Sequence, residues 1–486
     1  MQSLHTLKIC AATSVIAFGF VNSGLAGSGS AASLESIRQK HKLPALAVAV
    51  IVDGKLIVFD AVGERKLGSK VAVTRDDKFH MGSCTKAMTA TLIGILVDQG
   101  KLSWDLKIVD VLPDLAKKSD PGYRDVTIDQ LLMHRAGLPG ESYKGVDPGA
   151  FPKAPREQRM EYIRQLMKTP PQFRPGSRFQ YSNAGYSVAG VMAEMVMDRP
   201  WEELMSEFIF QPLKMTSAGF GAMGSAQKMD QPWQHRLQAG KPIAVRPSPR
   251  ADNLDAIGPA GKVHCSMADW AKFVGVHLGA STNRKPLLAP ATLKHLHEAG
   301  FNGNYAGGWT IAQRSWAGGA ALSHSGSNTM NFCTAWLAPK KRFAVLSATN
   351  CAGDAARQAC DDVASTMIQK YLSDTSDPIA KSNAQEDKSV TVKAKTWFRQ
   401  VQEQRIRSSQ LNPGLRTFFA SSKGKDFCIT LNKLGDSKSF DFQSSRKLGD
   451  GRIYVYELSF DSGNWRWEIG FGKNDTVNWI LAKSQL

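Results

Sequence analysis

Two side chains near the start of the chain have the types and the spacing of a nucleophile and its base. Ser83 is followed three residues later by Lys86, in an apolar, helix-like stretch that runs to about Asp98. Residues three apart lie on one face of a helix, roughly 5–6 Å apart at Cβ. A serine hydroxyl needs an adjacent base, and a desolvated lysine loses its proton easily enough to act as one. The pair predicts nucleophilic catalysis by Ser83.

Two further triplets have residue types that this chemistry uses. Tyr181-Ser182-Asn183 lies about a hundred residues beyond the pair, and His324-Ser325-Gly326 lies much later. Each motif is common by chance, whereas all of them in this order and spacing are not. We therefore expect them to meet in one catalytic site, with no metal and no cofactor.

The elements that must position these residues follow from the apolar patterns. The runs 45–52 and 55–62 flank Asp53-Gly54, a strong hairpin signal. Strand-like runs return at 308–349, and the stretch between, about 105–245, is helical. This order predicts an α/β (α+β) domain over 33–372, with an antiparallel sheet flanked by helices and an inserted helical domain.

The rest of the chain predicts a linker and an accessory domain. Residues 373–388 are polar and poor in large apolar side chains, which is typical of a linker. Residues 389–486 predict a small α+β domain, with a helix near 397–408 and then an antiparallel sheet whose first strand is 427–432. This domain contains no catalytic constellation.

The N-terminus indicates export. Residues 1–26 have a weak positive region at Lys8, an apolar run too short to span a bilayer, and small residues at Gly24-Leu25-Ala26. These features predict a signal peptide, and hence a secreted or periplasmic protein. No later run of 18 apolar residues predicts a stable membrane span. Six cysteines remain after residue 26, with Cys351–Cys360 as the first candidate bridge and burial as free thiols as the alternative.

The composition is that of a globular protein with a basic surface. The 486 residues are 42% hydrophobic and 21% charged, with a net charge of +18. Lys and Arg are spread along the chain, and no basic stripe alternates with aromatic residues, so we expect no nucleic-acid partner.

Residues of roughly 34–372 resemble the group of class C β-lactamases, D,D-peptidases and family VIII esterases. Besides the three motifs above, the stretch 131–139 (LLMHRAGLP) is similar to the group's "LLTHTSGLP". Phe173-Arg174-Pro175-Gly176 precedes Tyr181 as it does in relatives, and Pro259-Ala260-Gly261 resembles the start of "PAGGLFST". The resemblance implies a β-lactamase/transpeptidase-like fold.

The resemblance also implies a role for each site residue. Tyr181 would share the base's task and later protonate the leaving group. Asn183 would hold the acyl side-chain amide or orient Lys86. The backbone N–H groups of Ser83 and Ser327, the latter just after Gly326, would form the oxyanion hole.

His324 departs from the efficient class C β-lactamases, which have lysine at this place as a permanent cation for the substrate carboxylate. Histidine attracts anions more weakly near neutral pH. The sequence therefore predicts an exported serine hydrolase with an acyl-Ser83 intermediate and at most weak β-lactamase activity. Its substrate would be a small molecule or peptide with an ester, amide or D-amino-acid peptide bond, a peptidoglycan-derived peptide being one candidate. The alternative is a catalytically silent penicillin-binding or cell-wall-binding protein.

Overall fold

The structure is a computed structural model that describes residues 27–141, 147, 149, 151, 154–249, 251–279, 286–300, 303–372, 386–448, 451–472 and 475–485. The strands are, in chain order, β1 (Ala45–Val52), β2 (Lys55–Gly63), β3 (Lys78–His80), β4 (Gly219–Phe220), β5 (Gln234–Gln238), β6 (Lys241–Val245), β7 (Val263–Ser266), β8 (Thr310–Arg314), β9 (Gly319–Ser327), β10 (Phe332–Ala338), β11 (Phe343–Thr349), β12 (Ser439–Leu448), β13 (Gly451–Phe460), β14 (Gly463–Phe471) and β15 (Val477–Gln485).

The α-helices are α1 (Gly27–Lys40), α2 (Thr85–Asp98), α3 (Ile108–Val111), α4 (Pro113–Lys118), α5 (Ile128–Leu132), α6 (Pro155–Leu166), α7 (Asn183–Met197), α8 (Trp201–Met205), α9 (Gly258–Gly261), α10 (Met267–His277), α11 (Pro290–His297), α12 (Asp354–Leu372), α13 (Lys388–Gln402), α14 (Pro413–Ala420) and α15 (Ser422–Asn432). Two compact units result, one of residues up to 312 with 320–365, and one of residues 313–319 with those from 366 onward.

A six-stranded sheet organises the first unit, in the order β2-β1-β11-β10-β9-β8. The pairs β1–β2, β1–β11, β10–β11 and β9–β10 are antiparallel. Asp53 and Gly54 both have positive φ in the predicted hairpin, which is the backbone that an Asp-Gly turn supplies. Strands β1 and β11 are apolar and buried along almost their whole length, because helices cover the sheet's centre. The antiparallel sheet that the sequence predicts is confirmed.

Between β3 and β4 the described chain is helical, but strand β4 and the hairpin β5–β6 lie inside the stretch 105–245 that the sequence predicts to be helical, and that part of the prediction is wrong. Helix α2 is apolar on all sides, and its first twelve residues, Thr85 to Leu96, are buried. A helix that is hydrophobic all round is a core helix, so α2 places its N-terminal end at a fixed point of the unit. Its neighbours include α7, α9 and α11.

The second unit contains the four-stranded sheet β12-β13-β14-β15, whose neighbouring strands are antiparallel. Its core includes the buried side chains of Phe398, Tyr456 and Trp467. The ring of Phe398 meets that of Trp467 edge to face at a centroid distance of 5.0 Å. The predicted small α+β fold with an antiparallel sheet is confirmed.

Two predicted elements of this unit are wrong in type or extent. The predicted strand 427–432 is part of helix α15, in which Cys428 and Leu431 are buried while Ile429 is exposed. A spacing of three between buried residues is typical of a helix. The alternation of large apolar residues in this stretch is typical of a strand, but here it does not mark a buried face, because Ile429 does not enter the core. Helix α13 begins at Lys388, earlier than predicted, because the Asp387 side chain caps it by accepting hydrogen bonds from the N–H groups of Ser389 and Val390.

The cysteine prediction is also corrected. Cys351 and Cys360 are free, buried thiols, as are the other four described cysteines. The proposed Cys351–Cys360 bridge is therefore wrong, and the alternative of small buried side chains holds. The predicted signal peptide (1–26) and most of the predicted linker (373–388) lie outside the described residues. Within the described ranges, no helix is both long and apolar enough to cross a bilayer.

Candidate active site

Ser83 lies in a tight turn at the N-terminal end of the buried helix α2. A 3₁₀ turn over Gly82–Cys84 leads directly into the helix. The turn is pressed against strand β9, since a Cβ added to Gly82 would lie 2.3 Å from the backbone nitrogen of Ser327. A Cβ added to Gly326 would lie 2.0 Å from the Met81 carbonyl oxygen and 2.9 Å from the nitrogen of Ser83. Only glycine permits this approach, which brings the backbone of Ser327 beside the Ser83 turn.

The amine of Lys86 contacts three oxygen atoms. Its Nζ lies 3.0 Å from Ser83 Oγ, 2.7 Å from Asn183 Oδ1 and 2.8 Å from the carbonyl oxygen of Ala260. The amide and carbonyl oxygens can only accept hydrogen bonds. A neutral amine has two N–H donors and one lone pair, so the donors go to Asn183 and Ala260. The lone pair is then left for the hydroxyl proton of Ser83.

The surroundings of Lys86 favour that neutral form. The side chain is completely buried, and desolvation lowers its pKa well below the ordinary lysine value. The rings of Tyr181 and Tyr186 lie 4.8 and 5.6 Å from Nζ. No carboxylate hydrogen bond or ion pair to Lys86 is found among the described residues. Lys86 is therefore a buried amine suited to accept a proton.

Tyr181 and its backbone are held by His134. The Ser182 N–H donates to His134 Nδ1 at 3.1 Å, and the Gln180 N–H donates to the His134 carbonyl at 2.8 Å. The His134 ring also packs on the Tyr181 ring at a centroid distance of 4.3 Å. Burial lowers the pKa of His134 well below the ordinary histidine value. His134 thus acts as a neutral support of the Tyr181 segment.

Burial raises the pKa of the Tyr181 phenol above its ordinary value, and a hydrogen bond with the Ser83 side chain opposes this rise only in part. At neutral pH the phenol therefore keeps its proton. It is placed to donate that proton rather than to remove one from Ser83. The resemblance implies two bases, Lys86 and Tyr181. Lys86 is the better suited to accept a proton, because its pKa is lowered whereas that of Tyr181 is raised.

Asn183 is the first residue of α7, directly after Ser182, whose hydroxyl donates to the Pro139 carbonyl at 2.7 Å. Its amide oxygen accepts from Lys86. Asn183 is expected either to hold the acyl side-chain amide of the substrate or to orient Lys86. Its hydrogen bond with Lys86 is the contact that the second role requires. The Ala260 carbonyl, which shares that task, is a backbone group and gave no sequence signal.

His324 lies on β9 with both ring nitrogens in hydrogen bonds. Nδ1 lies 2.7 Å from the Ser325 carbonyl oxygen, and Nε2 lies 2.9 Å from the hydroxyl of Tyr305. Tyr305 is buried, in the loop before β8. Sequence reasoning missed Tyr305, because a lone tyrosine in a loop has no motif spacing of its own.

Two cavities adjoin these side chains. One, of about 330 Å³, has aromatic walls that include Phe179, Tyr181, Tyr305 and His324. The other, of about 580 Å³, is lined by Ser83 and by the residues Glu141, Asn183, Asn253, Ile257, Ala260, Gly261, Ser327, Asn328 and Thr329. All seven site residues predicted from the sequence thus lie in this region, Gly326 through its backbone.

The nearby Lys262 and Cys84 have other partners. The Lys262 ammonium pairs with the Asp255 carboxylate. Cys84 Sγ lies 3.6 Å from Cys333 Sγ inside the core, and burial raises the pKa of the Cys333 thiol. No group of three or more potential metal ligands (His, Cys, Asp, Glu) occurs within the described ranges.

Comparisons with known proteins indicate the family and the fold. The family model described as Beta-lactamase matches residues 31–365. Penicillin-binding protein 4 of Amycolatopsis lactamdurans is 29% identical over 293 residues, 59% of this chain and 73% of the relative. The octameric penicillin-binding protein homologue from Pyrococcus abyssi has a similar fold (TM-score 0.58, 18% identity, 93% of this chain and 99% of that one).

A second solved structure with a similar fold is EstCE1, a hydrolase with promiscuous acyltransferase activity. Its TM-score is 0.57 at 19% identity, covering 69% of this chain and 98% of that one. The family model covers more than half of the sequence and includes every residue of the site. The protein therefore belongs to the Beta-lactamase family.

Proposed function

We propose that the protein is a serine hydrolase that forms an acyl-Ser83 intermediate on an ester or amide substrate. The observation that carries this proposal is the hydrogen-bond arrangement of Lys86, in which two acceptors take the N–H groups of the neutral amine. In that neutral form the remaining lone pair is available for the proton of the Ser83 hydroxyl, whose oxygen lies 3.0 Å away. A base within hydrogen-bond reach is the geometric requirement for activating a serine.

The other groups of the site fit the remaining steps. Lys86 takes the Ser83 proton as Oγ attacks the substrate carbonyl. The backbone N–H groups of Ser83 and Ser327 are the proposed donors to the developing oxyanion. Tyr181, protonated at neutral pH, gives its proton to the leaving group, and Lys86 restores it. Water then hydrolyses the acyl-enzyme, with the same groups acting in reverse.

The alternative is a silent binding protein that keeps the fold without turnover. The relatives named penicillin-binding proteins keep this alternative open. The buried amine of Lys86 counts against it, because burying a lysine that has no carboxylate partner among the described residues costs free energy that an apolar residue would not cost. Export through the predicted signal peptide belongs to the proposal under either function.

A fluorophosphonate probe tests the proposal directly. It should label the wild-type protein and leave Ser83→Ala unlabelled, while Ser103→Ala, which removes an exposed serine elsewhere, should be labelled like wild type. Turnover of a panel of p-nitrophenyl esters, D-alanyl peptides and nitrocefin should vanish in Ser83→Ala. Full labelling and turnover in Ser83→Ala would refute the assignment, and labelling of wild type without turnover of any acyl substrate would favour the silent protein.

A further inference from the structure

The hydrogen bonds of His324 leave it without a free N–H group. A carbonyl oxygen only accepts, so the 2.7 Å contact with Ser325 requires the proton on Nδ1. In the neutral ring Nε2 is then a lone pair, which accepts from the Tyr305 hydroxyl 2.9 Å away. In the charged ring Nε2–H instead donates to that same hydroxyl. In both states the two nitrogens have partners within the protein.

Burial preserves this arrangement. The exposed fractions of His324 and Tyr305 are 8% and 5%. The two rings meet edge to face at 5.7 Å, and Tyr305 packs in turn on His134 at 4.6 Å. Burial also raises the pKa of Tyr305, so its hydroxyl keeps its proton at neutral pH. A substrate anion would have to break the Tyr305–His324 hydrogen bond in order to reach Nε2.

The described residues around the site offer no replacement cation. Neither cavity has a Lys or Arg among its described lining residues, and the one carboxylate among them is Glu141. The nearby Lys262 is paired with Asp255. Among the described residues, a substrate carboxylate would therefore lose its hydration without gaining a charged partner, which disfavours its binding.

The position of His324 indicates on which part of the substrate a carboxylate would be rejected. His324 and Tyr181 line the same aromatic cavity, whereas Ser83 and Asn183 line the other one. Tyr181 is the group that protonates the leaving group in the proposed mechanism. The aromatic cavity is therefore the leaving-group side of the nucleophile.

We infer that the enzyme cleaves esters or amides whose leaving group carries no carboxylate, and that Tyr305 is the positioning residue that sets this preference by occupying His324. The inference rests on the proposed hydrolase function and narrows it. Peptides that end in a free D-alanine carboxylate would be poor substrates, as would carboxylate-bearing β-lactams.

Two esters with the same acyl group test the inference. They are the butyryl esters of 4-hydroxybenzamide and of 4-hydroxybenzoate. The leaving group carries a neutral amide in the first and a carboxylate in the second. Wild type should favour the amide ester in kcat/KM. Tyr305→Phe should shift the ratio about tenfold toward the carboxylate ester, because Nε2–H of the charged His324 ring then loses its hydroxyl partner and is free to bind the carboxylate. Tenfold is the factor supplied by about 1.4 kcal/mol of added binding.

A double variant shows whether the shift depends on His324. In Tyr305→Phe/His324→Gln the ratio should return to within about twofold of that in His324→Gln alone. The inference is overturned if wild type prefers the carboxylate ester, or if Tyr305→Phe leaves the ratio unchanged. Failure of the wild type to hydrolyse either ester would instead count against the proposed function.

The hydrogen-bond arrangement has a readout that needs no substrate. In ¹⁵N-histidine-labelled protein, the neutral His324 ring should show the proton on Nδ1 and a hydrogen-bonded, unprotonated Nε2, with His324→Gln identifying the signal. Tyr305→Phe should shift the Nε2 resonance. A proton on Nε2 in the neutral wild-type ring would refute the arrangement even if the enzyme hydrolyses both esters.

Discussion

The Nζ atom of Lys86 lies 2.8 Å from the carbonyl oxygen of Ala260, a residue 174 positions further along the chain. The contact joins the nucleophile's helix to the segment that precedes β7. It also takes one of the N–H groups of the amine, which leaves the lone pair for Ser83. The hydrogen bonding of Lys86 thus depends on a backbone group from a distant part of the sequence.

The pH dependence of kcat/KM should follow from the two perturbed groups. Desolvation lowers the pKa of Lys86, so its active neutral form persists at neutral pH and is lost as the pH falls through that lowered value. Burial raises the pKa of Tyr181, so its active protonated form is lost only above the ordinary tyrosine range. We expect a rate plateau that spans neutral pH, measured from initial rates on a neutral ester.

Substitutions of Lys86 test whether protonation of this residue causes the loss of rate at low pH. Lys86→Met should lower kcat by on the order of 10³, since the base is removed. Lys86→Arg should be equally inactive, because guanidinium stays protonated and cannot accept the Ser83 proton. A wild-type rate that keeps rising up to about pH 10 would mean that Lys86 titrates like an ordinary exposed lysine.

Gly326→Ala should damage the site through the backbone. The added Cβ would meet the Met81 carbonyl oxygen at 2.0 Å, so β9 and the Ser83 turn must separate. If Ser327 N–H is an oxyanion donor, kcat should fall by about 10²–10³. Gly414→Ala, where the added Cβ meets only ordinary contacts, is the control. Unchanged kcat in a folded Gly326→Ala protein would exclude Ser327 from the oxyanion hole.

Local patterns in the sequence predicted the scaffold well. The Asp53-Gly54 turn between two apolar runs predicted the β1–β2 hairpin, and the apolar run after Ser83 predicted helix α2. These signals are local, because turn type and helical periodicity depend on residues that are close together in the sequence. The prediction of a strand at 427–432 is wrong because it also uses only a local pattern. Alternating apolar residues indicate a possible strand, but they do not show which side chains the tertiary structure buries.

The contacts that tune the site could not be predicted in this way. The Ala260 carbonyl is a group that every residue has, so its contact with Lys86 leaves no trace in residue type. The Tyr305–His324 hydrogen bond joins a loop to a strand, and neither its distance nor the direction of its donor follows from spacing. The residue types at 83, 86 and 181 indicate a chemistry, whereas their ionisation depends on burial by the whole unit.

The thiols should be reduced and protected. All six described cysteines are free and buried, and a buried thiol is inert compared with an exposed thiolate. A thiol reagent such as Ellman's reagent should therefore react slowly with the native protein. In guanidinium without reductant, a chain cleaved after the predicted signal peptide should release six thiols, the number of cysteines after residue 26. Four thiols would reveal one disulfide and contradict the structure.

Arg159→Leu should destabilise the protein strongly. Arg159 and Glu194 are both fully buried, with Nη2 2.5 Å from Oε1, and Arg159 also donates to Glu202 and to the Asp255 carbonyl. Removing the guanidinium leaves a buried carboxylate without its partner, which typically costs about 3–5 kcal/mol. Denaturant unfolding should show that loss, whereas Arg156→Leu, which breaks an exposed pair, should cost about 1 kcal/mol or less. Equal losses in the two variants would show that the buried pair contributes no more than a surface pair.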